Sequence, residues 1–404
     1  MHLHMTKEEQ NLRYDIWVPN MRMIFCFPKV ILFVLFIAII SLTISCSDGS
    51  DDQEETDRLP REQTIFEYKG DWSKFDHDGL RVIAIREDET VWEWGKEDQY
   101  SSTAISVAPL LVNIDNDWFK VSTGPHSLAI KEDGSLWAWG ANYYGGLGDG
   151  TTEPKDDPFQ VGSDTDWQKI DVGGKLHATG FSIALKTDGT LWAWGFNRNG
   201  QLGDGTTENK LIPTQIGSDT NWAEISAGGN YVLSLKTDGT LWAWGANSFC
   251  ILGDGTTEDK LAPVQISTDT DWTQISASTS HSLALKSNRT LWAWGYNHHG
   301  QIGDGTTEDK LSPVQIGLDA DWSQIAAGYI HSVALKEDGT LWTWGGNSGG
   351  NLGDIDQPGS LVPVQMIEGS NWSEIAAGKC TTALNSEGTI WVWGKLFYVP
   401  LGEY

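Results

Sequence analysis

One unit of about fifty residues occurs seven times along this chain. Two copies read GQLGDGTTENKLIPTQIGSDTNW, from Gly200, and GQIGDGTTEDKLSPVQIGLDADW, from Gly300. Aligned on the tryptophan of their Asp-Trp or Asn-Trp pair, successive copies are 46, 49, 55, 50, 50 and 50 residues apart. A period of this size is typical of repeat proteins, in which each unit must stack on its neighbours to bury an apolar face.

Tryptophan marks the repeated unit. Of the 22 tryptophans in the 404 residues, all except Trp17 fall at repeat positions, either in the Asp-Trp or Asn-Trp pair or in a W-x-W-G tetrad. Because a large buried indole contributes strongly to a core, Trp242→Ala is expected to cost about 3–5 kcal/mol. We expect a structural role for the tetrad tryptophans Trp92, Trp94, Trp137, Trp139, Trp192, Trp194, Trp242, Trp244, Trp292, Trp294, Trp342, Trp344, Trp391 and Trp393.

Each copy divides into four strand-sized pieces, for example DWSQIAAG, HSVALK, TLWTWG and PVQI. Asp-Gly pairs join the second and third pieces and predict type I′ hairpins, which need positive φ at both central residues. Asp88-Glu89 and Asn288-Arg289 break this pattern, which indicates another turn type or strain. The regular Asp-Gly pairs are Asp133-Gly134, Asp188-Gly189, Asp238-Gly239 and Asp338-Gly339.

Four antiparallel strands per unit and seven units predict an all-β fold, a seven-bladed β-propeller of four-stranded antiparallel blades. The last copy ends at WVWGKLFYVPLGEY and lacks a PVQI strand, whereas REQTIFEYKGDW precedes the first copy. We therefore expect Gln63–Phe66 to supply the missing strand, so that the N- and C-terminal segments close the ring and leave no long exposed edge. The propeller is predicted to occupy residues 63–404.

The residues before the propeller have the composition of a targeting segment. Residues 21–45 contain two basic residues followed by an apolar stretch, in the order of a secretory signal peptide. Residues 46–62 are acidic and polar, as in a solvated tether. Residues 1–20 have no place in a signal peptide; either translation starts at Met21 or Met23, or the extension is genuine.

The segment Thr43-Ile44-Ser45-Cys46 resembles the lipobox of bacterial lipoproteins, although the expected leucine is displaced to Leu42. The resemblance implies that Cys46 is lipidated and holds the protein on a membrane at the cell envelope, outer membrane or cell surface. The alternatives are an ordinary signal peptide with secretion, or an uncleaved anchor, for which the apolar stretch is shorter than the roughly 20 residues of a span.

The segments AAGYIHSVALKEDGTLWTWGGN and GQIGDGTT resemble the repeat of the regulator-of-chromosome-condensation family. This resemblance covers residues 63–404 and implies a seven-bladed propeller. The best-known role of that family is guanine-nucleotide exchange on a nuclear GTPase. A secretion signal and a formal net charge of −28 argue against a nuclear, chromatin-bound role.

The charge and the motifs exclude several function classes. A net charge of −28 repels nucleic acid, so the expected partners are proteins and the membrane rather than DNA or RNA. No catalytic signature occurs, and we expect neither an enzyme nor a cofactor. The GDGTT segments predict turns rather than calcium loops. His126, His281 and His331 occupy equivalent positions, and structural hydrogen bonds are favoured over a metal site.

The copies differ most just after W-x-W-G, where aromatic and basic residues vary around a recurring asparagine. These positions follow the same strand in each blade and should share one rim of the disc, with a composition typical of protein-binding hot spots. Some of them are alternatively expected to pack under adjacent loops. The predicted rim consists of Tyr143, Tyr144, Phe196, Arg198, Phe249, Tyr296, His298, His299, Phe397 and Tyr398.

The sequence therefore favours a non-enzymatic protein-interaction scaffold with an unidentified protein partner. The alternatives are a guanine-nucleotide exchange factor, and a secreted hydrolase or hydrolase inhibitor.

Overall fold

The computed structural model describes residues 5–7, 11–18, 21–28, 65–77, 81–95, 109–174, 179–354, 356–366 and 371–394. These residues form 31 strands. The described part of the chain contains no helix that is long and apolar enough to cross a membrane.

Twenty-eight of the strands form seven four-stranded antiparallel blades, which confirms the predicted fold class. We name the strands of each blade A to D in sheet order. The A strands of successive blades contact one another around the whole ring, including blade 7 with blade 1, so strand A lies at the axis and strand D at the circumference.

The strands of blades 1 to 3, in the order A to D, are Trp72–His77, Val82–Arg86, Val91–Trp94 and Leu110–Leu111; Trp118–Thr123, His126–Lys131, Leu136–Gly140 and Lys155–Gln160; and Trp167–Gly173, Phe181–Lys186, Leu191–Gly195 and Lys210–Gln215. Those of blades 4 and 5 are Trp222–Ala227, Tyr231–Lys236, Leu241–Gly245 and Lys260–Gln265; and Trp272–Ala277, His281–Lys286, Leu291–Gly295 and Lys310–Gln315. Those of blades 6 and 7 are Trp322–Ala327, His331–Lys336, Leu341–Gly345 and Ser360–Gln365; and Trp372–Ala377, Thr381–Asn385, Thr389–Trp393 and Ile65–Lys69.

Blade 7 joins the two ends of the propeller, as the sequence predicts. Its D strand, Ile65–Lys69, pairs antiparallel with Thr389–Trp393, with Ile65 opposite Trp393 and Lys69 opposite Thr389. The strand begins two residues after the predicted Gln63. The early segment Ile65–Lys69 therefore supplies the fourth strand that the last copy lacks.

Three further strands, Met21–Pro28, Asn11–Val18 and Met5–Lys7, continue the sheet outward from blade 7. Five other D strands carry a proline, which cannot donate a ladder hydrogen bond and so blocks edge pairing. The D strand of blade 7 has no proline, and it is the one on which additional strands pair. The prolines of these five D strands are Pro158, Pro213, Pro263, Pro313 and Pro363.

Residues 29–64, including Cys46 and the tether, lie outside the described residues, so signal cleavage and lipidation stay predictions.

The described residues contain seven apolar core clusters, and each lies between two adjacent blades rather than within one. In the cluster between blades 3 and 4, Leu191 and Ala193 of one blade pack against Trp222 and Trp244 of the next. A blade alone therefore leaves both of its apolar faces uncovered, and stacking supplies the missing surface.

The two tryptophans of a W-x-W-G tetrad have different environments. Trp244 is fully buried, and its Nε1 donates to the carbonyl oxygen of Gln201 in the preceding blade at 3.0 Å. Trp242 is only partly buried; it lies against the ammonium group of Lys236, whose Nζ is 4.1 Å from the ring centroid. The expected cost of 3–5 kcal/mol therefore belongs to the second tryptophan and was wrongly assigned to Trp242.

The B–C hairpins are not type I′ turns, which corrects the sequence prediction. Gly134 has φ +80°, but Asp133 is absent from the described positive-φ residues. The N–H of Gly134 donates to Lys131 O at 2.9 Å, which is a type I turn followed by a left-handed glycine. Glu89 and Arg289 occupy the glycine position at φ 63° and 62°, so the irregular copies keep this turn and carry strain.

We expect Trp244→Ala to lower the free energy of unfolding by about 3–5 kcal/mol, because it empties a buried site at a blade interface. Trp242→Ala should cost less, on the order of 2 kcal/mol, because its indole is partly exposed. Urea unfolding of the two variants checks this. Equal losses would contradict the unequal roles of the two indoles.

We expect Glu89→Gly to stabilise the protein by about 0.5–1 kcal/mol, because glycine removes the left-handed penalty and this gain exceeds its extra chain entropy. The matched opposite change is Gly134→Ala, whose Cβ would lie 2.2 Å from the carbonyl oxygen of Thr165. The urea midpoint should rise for the first variant and fall for the second. A lower midpoint for Glu89→Gly would show that the turn is not strained.

Candidate partner-binding face

The alternating strand directions place the A–B and C–D loops on one face of the disc, which we call the upper face. The B–C turns and the D–A connections lie on the opposite, lower face. The variable positions of the repeat belong to the C–D loops, so they are all displayed in one direction.

A buried asparagine fixes each regular C–D loop. Asn197 donates through Nδ2 to Asp204 Oδ1 at 3.2 Å and to the carbonyl oxygen of Glu208 at 3.0 Å. Its Oδ1 accepts from the N–H of Leu202 at 2.9 Å. The bonds to the aspartate and from the N–H five residues further on recur at Asn142, Asn247 and Asn297. The loops therefore share a rigid frame that carries different side chains.

The aspartate of each GDGTT segment is engaged by protein donors. Asp204 accepts from the N–H and hydroxyl of Thr206 and pairs with Lys210 Nζ at 3.0 Å. These donors hold the pKa of Asp204 below its usual value against the opposing effect of burial. A carboxylate occupied in this way stabilises a turn, as the sequence analysis favours.

The predicted rim residues of blades 4 and 5 form one aromatic cluster. Phe249 and Tyr296 meet edge-to-face at 5.3 Å between ring centroids, and the rings of Tyr296 and His298 are 4.5 Å apart. His299 lies 6.3 Å from Tyr296. Phe249 is 43% exposed, and both histidines are exposed. This cluster presents aromatic surface to solvent on the upper face.

The rim residues of blades 2 and 3 are split between the surface and the interior. Tyr143 is 57% exposed and Arg198 is exposed. Phe196 is only 6% exposed and packs against Tyr144, with 4.8 Å between ring centroids. Phe196 therefore supports Tyr144 from below instead of facing a partner, which corrects its place in the predicted rim. The predicted rim members Phe397 and Tyr398 lie outside the described residues.

The upper face opens at its centre into a depression of about 590 Å³ along the propeller axis. Its mouth is lined by Phe249, Tyr296 and His299 of the predicted rim, together with Tyr329, which is 49% exposed. Sequence reasoning missed Tyr329 because it lies in an A–B loop rather than after W-x-W-G. Its signal was a tyrosine where the other copies carry small or polar residues.

The floor of the depression is a ring formed by the fifth residue of each A strand. In five blades its side-chain oxygen accepts from an N–H of the next A strand, for example Ser226 Oγ from Ala277 at 2.9 Å and Asp171 Oδ2 from Ala227 at 2.8 Å. Blades 6 and 7 have alanine here. The full ring is Asp76, Ser122, Asp171, Ser226, Ser276, Ala326 and Ala376.

The third residues of the A strands form a second, charged ring beside the first. Lys169 pairs with Glu224, and Lys74 Nζ donates to the carbonyl oxygen of Phe119 at 2.8 Å. These residues vary between copies while the tryptophan before them does not, a signal that the sequence analysis did not use. The ring is Lys74, Lys120, Lys169, Glu224, Gln274, Gln324 and Glu374.

The axial carboxyl groups are shifted towards their neutral forms. Burial, followed by repulsion from Asp76, raises the pKa of Asp171 to about 7, and the same two causes raise the pKa of Glu374 to about 7. Burial and the nearby Lys169 lower the pKa of Lys120. These groups form a coupled acid–base cluster on the axis.

The equivalent histidines connect adjacent blades and lie away from the axis. Their Nε2 atoms meet a hydroxyl of the next blade, and burial lowers the pKa of each to about 3. Among the described residues, no group of three or more His, Cys, Asp or Glu is placed to hold a metal ion. The histidine–hydroxyl pairs are His126 with Ser182 at 2.6 Å, His281 with Ser332 at 2.8 Å and His331 with Thr381 at 2.8 Å.

Cys250 and Cys380 are both buried, and neither forms a disulfide among the described residues.

The buried histidines should make stability fall as the pH decreases. An unfolded histidine has a pKa near 6.5, so between pH 6.5 and 3 the unfolded state binds protons that the native state does not. Each histidine then removes about 1.4 kcal/mol per pH unit. We expect His281→Gln to reduce the slope of unfolding free energy against pH by about this amount, measured by urea unfolding at about pH 6, 5 and 4.

Asp171 and Glu374 act in the opposite direction, because their native pKa values lie above their unfolded ones and their protonation favours the native state as the pH falls. Both residues are unchanged in His281→Gln, so they cancel in the comparison. Parallel pH profiles for the wild type and the variant would contradict a neutral, buried His281.

The chain matches known proteins over most of its length. A family model described as RCC1-like domain matches residues 177–403, and one described as regulator of chromosome condensation (RCC1) repeat matches residues 133–178. The solved structure of human WBSCR16 is 21% identical, with a TM-score of 0.68, and the match covers 81% of this chain and 87% of that chain. Prp20p from Saccharomyces cerevisiae is 19% identical, with a TM-score of 0.67, covering 80% and 82%.

A second structure of yeast RCC1 (Prp20), bound to Kap60, is 20% identical, with a TM-score of 0.67 and 80% of each chain covered. At this level of identity these likenesses show the fold. Because the first family model matches more than half of the chain, the protein belongs to the RCC1-like domain family.

Proposed function

We propose that this protein is a non-enzymatic scaffold that binds a partner protein on its upper face. The observation that carries this proposal is the aromatic cluster of Phe249, Tyr296, His298 and His299, held at the surface by two loops that share an asparagine frame. If these variable side chains served only to fill the interior, they would be buried, as Phe196 is.

The composition of the face matches a protein interface. Aromatic side chains supply large contact areas at small entropic cost, and aromatic residues and arginine are enriched at protein interfaces. A rigid frame also lowers the ordering cost of association, since loops that are already fixed lose little freedom on binding. These properties need no catalytic group, in keeping with a scaffold.

A second candidate function is regulation of a GTPase, which family membership favours. The similar Prp20p structure is described with its binding properties to Gsp1p and histones. In this function the upper face of the present protein would bind a GTPase, with the aromatic cluster of Phe249, Tyr296, His298 and His299 as the contact. The net charge of −28 disfavours nucleic acid as a partner but does not disfavour a protein.

The same scaffold is proposed to sit at the cell envelope, held by a lipid on Cys46. The support is the order of basic, apolar and small residues over 21–45 and the lipobox-like segment before Cys46. The acidic residues 46–62 would then space the propeller from the membrane.

We expect the double variant Phe249→Ala/Tyr296→Ala to lose its partner while keeping the fold, because Phe249 is exposed and Tyr296 is only partly buried. Affinity capture with cross-linking from envelope extracts measures this. The matched control is Ile114→Ala/Leu318→Ala, which removes apolar residues that are 87% and 92% exposed in D–A connections of the lower face. Retained partners in the first variant, or equal loss in both, would contradict the upper face as the binding surface.

Nucleotide release separates the two candidate functions. A scaffold leaves the release of bound guanine nucleotide from small GTPases unchanged, whereas an exchange factor accelerates it. Strong acceleration that is lost in Phe249→Ala/Tyr296→Ala would favour the GTPase regulator over the scaffold.

We expect Cys46→Ala to abolish incorporation of a radiolabelled or clickable fatty acid and to release the protein from the membrane fraction, because the anchor is the lipid. Protease digestion of intact cells beside the wild type reports the exposed side. Membrane retention of the unlabelled variant would instead support an uncleaved apolar anchor.

A further inference from the structure

The floor of the axial depression carries carboxylates at positions where the fold needs only a hydroxyl group. Ser226 and Ser276 accept the N–H of the next A strand at 2.9 Å. Asp171 makes the equivalent contact with Ala227 at 2.8 Å. The inter-blade contact therefore does not require a negative charge, and two blades omit the oxygen altogether.

A carboxylate at this depth is costly in the structure as it stands. Burial, with repulsion from Asp76, raises the pKa of Asp171 to about 7, so the ionised form is disfavoured. Ser122 of blade 2 lies between the two carboxylates in the ring, and its hydroxyl donates to Asp171 Oδ1 at 3.1 Å. A positive charge entering above Ser122, between the two carboxylates, would relieve their repulsion and restore ionisation. The floor is thus better suited to an occupied depression than to an empty one.

A buried histidine on the same floor offers another polar atom. His77 lines the depression and is 5% exposed; its Nδ1 meets the hydroxyl of Thr382 at 3.2 Å. Its Nε2 is buried and has no hydrogen-bond partner among the described residues. In the tautomer whose Nδ1–H donates to Thr382, Nε2 keeps an unused lone pair in the wall of the depression.

The mouth of the depression is aromatic. Phe249, Tyr296 and Tyr329 line it, and the faces of such rings attract cations. An extended basic side chain entering here would pass aromatic rings before its charged end reached the carboxylates. This order of surfaces fits a long aliphatic stem with a cationic tip.

The lysines near the axis differ in how far they supply positive charge to Asp76 and Asp171. Lys169 pairs with Glu224, and Lys74 binds the carbonyl oxygen of Phe119. Lys120 adds one positive charge near Asp76 and Asp171. Lys379 lies at the mouth, on the A–B loop of blade 7, where it would repel an entering cation.

We propose that the axial depression binds the guanidinium or ammonium group of an arginine or lysine side chain that projects from the partner protein, between Asp76 and Asp171. The depression opens at the centre of the upper face, so a partner seated on the aromatic cluster covers it. Arginine is among the residues most enriched at interface centres. This inference rests on the proposed partner binding and names the chemistry of its central contact.

The test uses a small probe on the whole protein: calorimetric titration with N-acetyl-arginine methylamide, beside the same derivative of citrulline. Citrulline has the shape of arginine and no charge. We expect binding of the arginine probe that is weakened at least about tenfold for the citrulline probe, because the charge-assisted contacts are lost. No binding of the arginine probe, or equal binding of both, overturns the inference.

Matched variants locate the site. Asp171→Ser keeps the hydroxyl acceptor found in Ser226, and should weaken the arginine probe about tenfold with an unchanged or higher unfolding midpoint. Glu258→Gln changes the net charge equally, at a side chain 84% exposed on the same face, and should leave binding unchanged. Equal affinity of Asp171→Ser and the wild type would overturn the site.

Lys379→Gln tests the site without touching its floor. Removing a like charge at the mouth should strengthen probe binding, whereas a probe bound elsewhere would show no change. Weaker or unchanged binding in this variant counts against the inference. Loss of partner capture in Phe249→Ala/Tyr296→Ala together with no probe binding would leave the scaffold standing and reject the axial contact alone.

Discussion

The fold depends on one repeated contact, in which the second tryptophan of each tetrad is inserted between adjacent blades. At four interfaces its Nε1 donates to a carbonyl oxygen of the preceding blade, at 2.7 to 3.0 Å. The glycine of the neighbouring loop, Gly203 in one case, lies so close to the indole that a Cβ would be 2.7 Å from Nε1 of Trp244. The indole thus joins the apolar core of one blade to the loop frame of another, and the loops stay rigid because the core beneath them is fixed.

That arrangement separates structure from display. The lower face repeats one motif, in which a lysine lies over two indoles and pairs with aspartates, as Lys186 does with Trp167, Trp192 and Asp164. The upper face keeps its asparagine frame but changes the side chains beyond it. Variation is therefore concentrated where it does not disturb blade stacking, which is the property expected of a binding surface on a repeat protein.

The sequence was sufficient for the architecture because its period, its strand pattern and its missing last strand all follow from the repeat. It was insufficient for the hairpins, since Asp-Gly occurs both in type I′ turns and in type I turns that end in a left-handed glycine. Only the backbone angles distinguish the two. It placed Phe196 on the rim because neighbouring positions in a loop can face in or out. The axial carboxylates were missed for a related reason: Asp76 and Asp171 belong to short strands that look alike until the ring brings them to one floor.

The closing blade has a consequence for synthesis. Ile65 pairs with Trp393, so a strand that is synthesised before blades 1 to 6 finds its partner only after all six have been synthesised. Blades 1 to 6 are contiguous in the chain and can stack in order as they emerge, but the D strand of blade 7 must wait for all of them. Until then, the open ends of the growing stack present uncovered indole surfaces, and the nascent chain depends on a partner that it has yet to make.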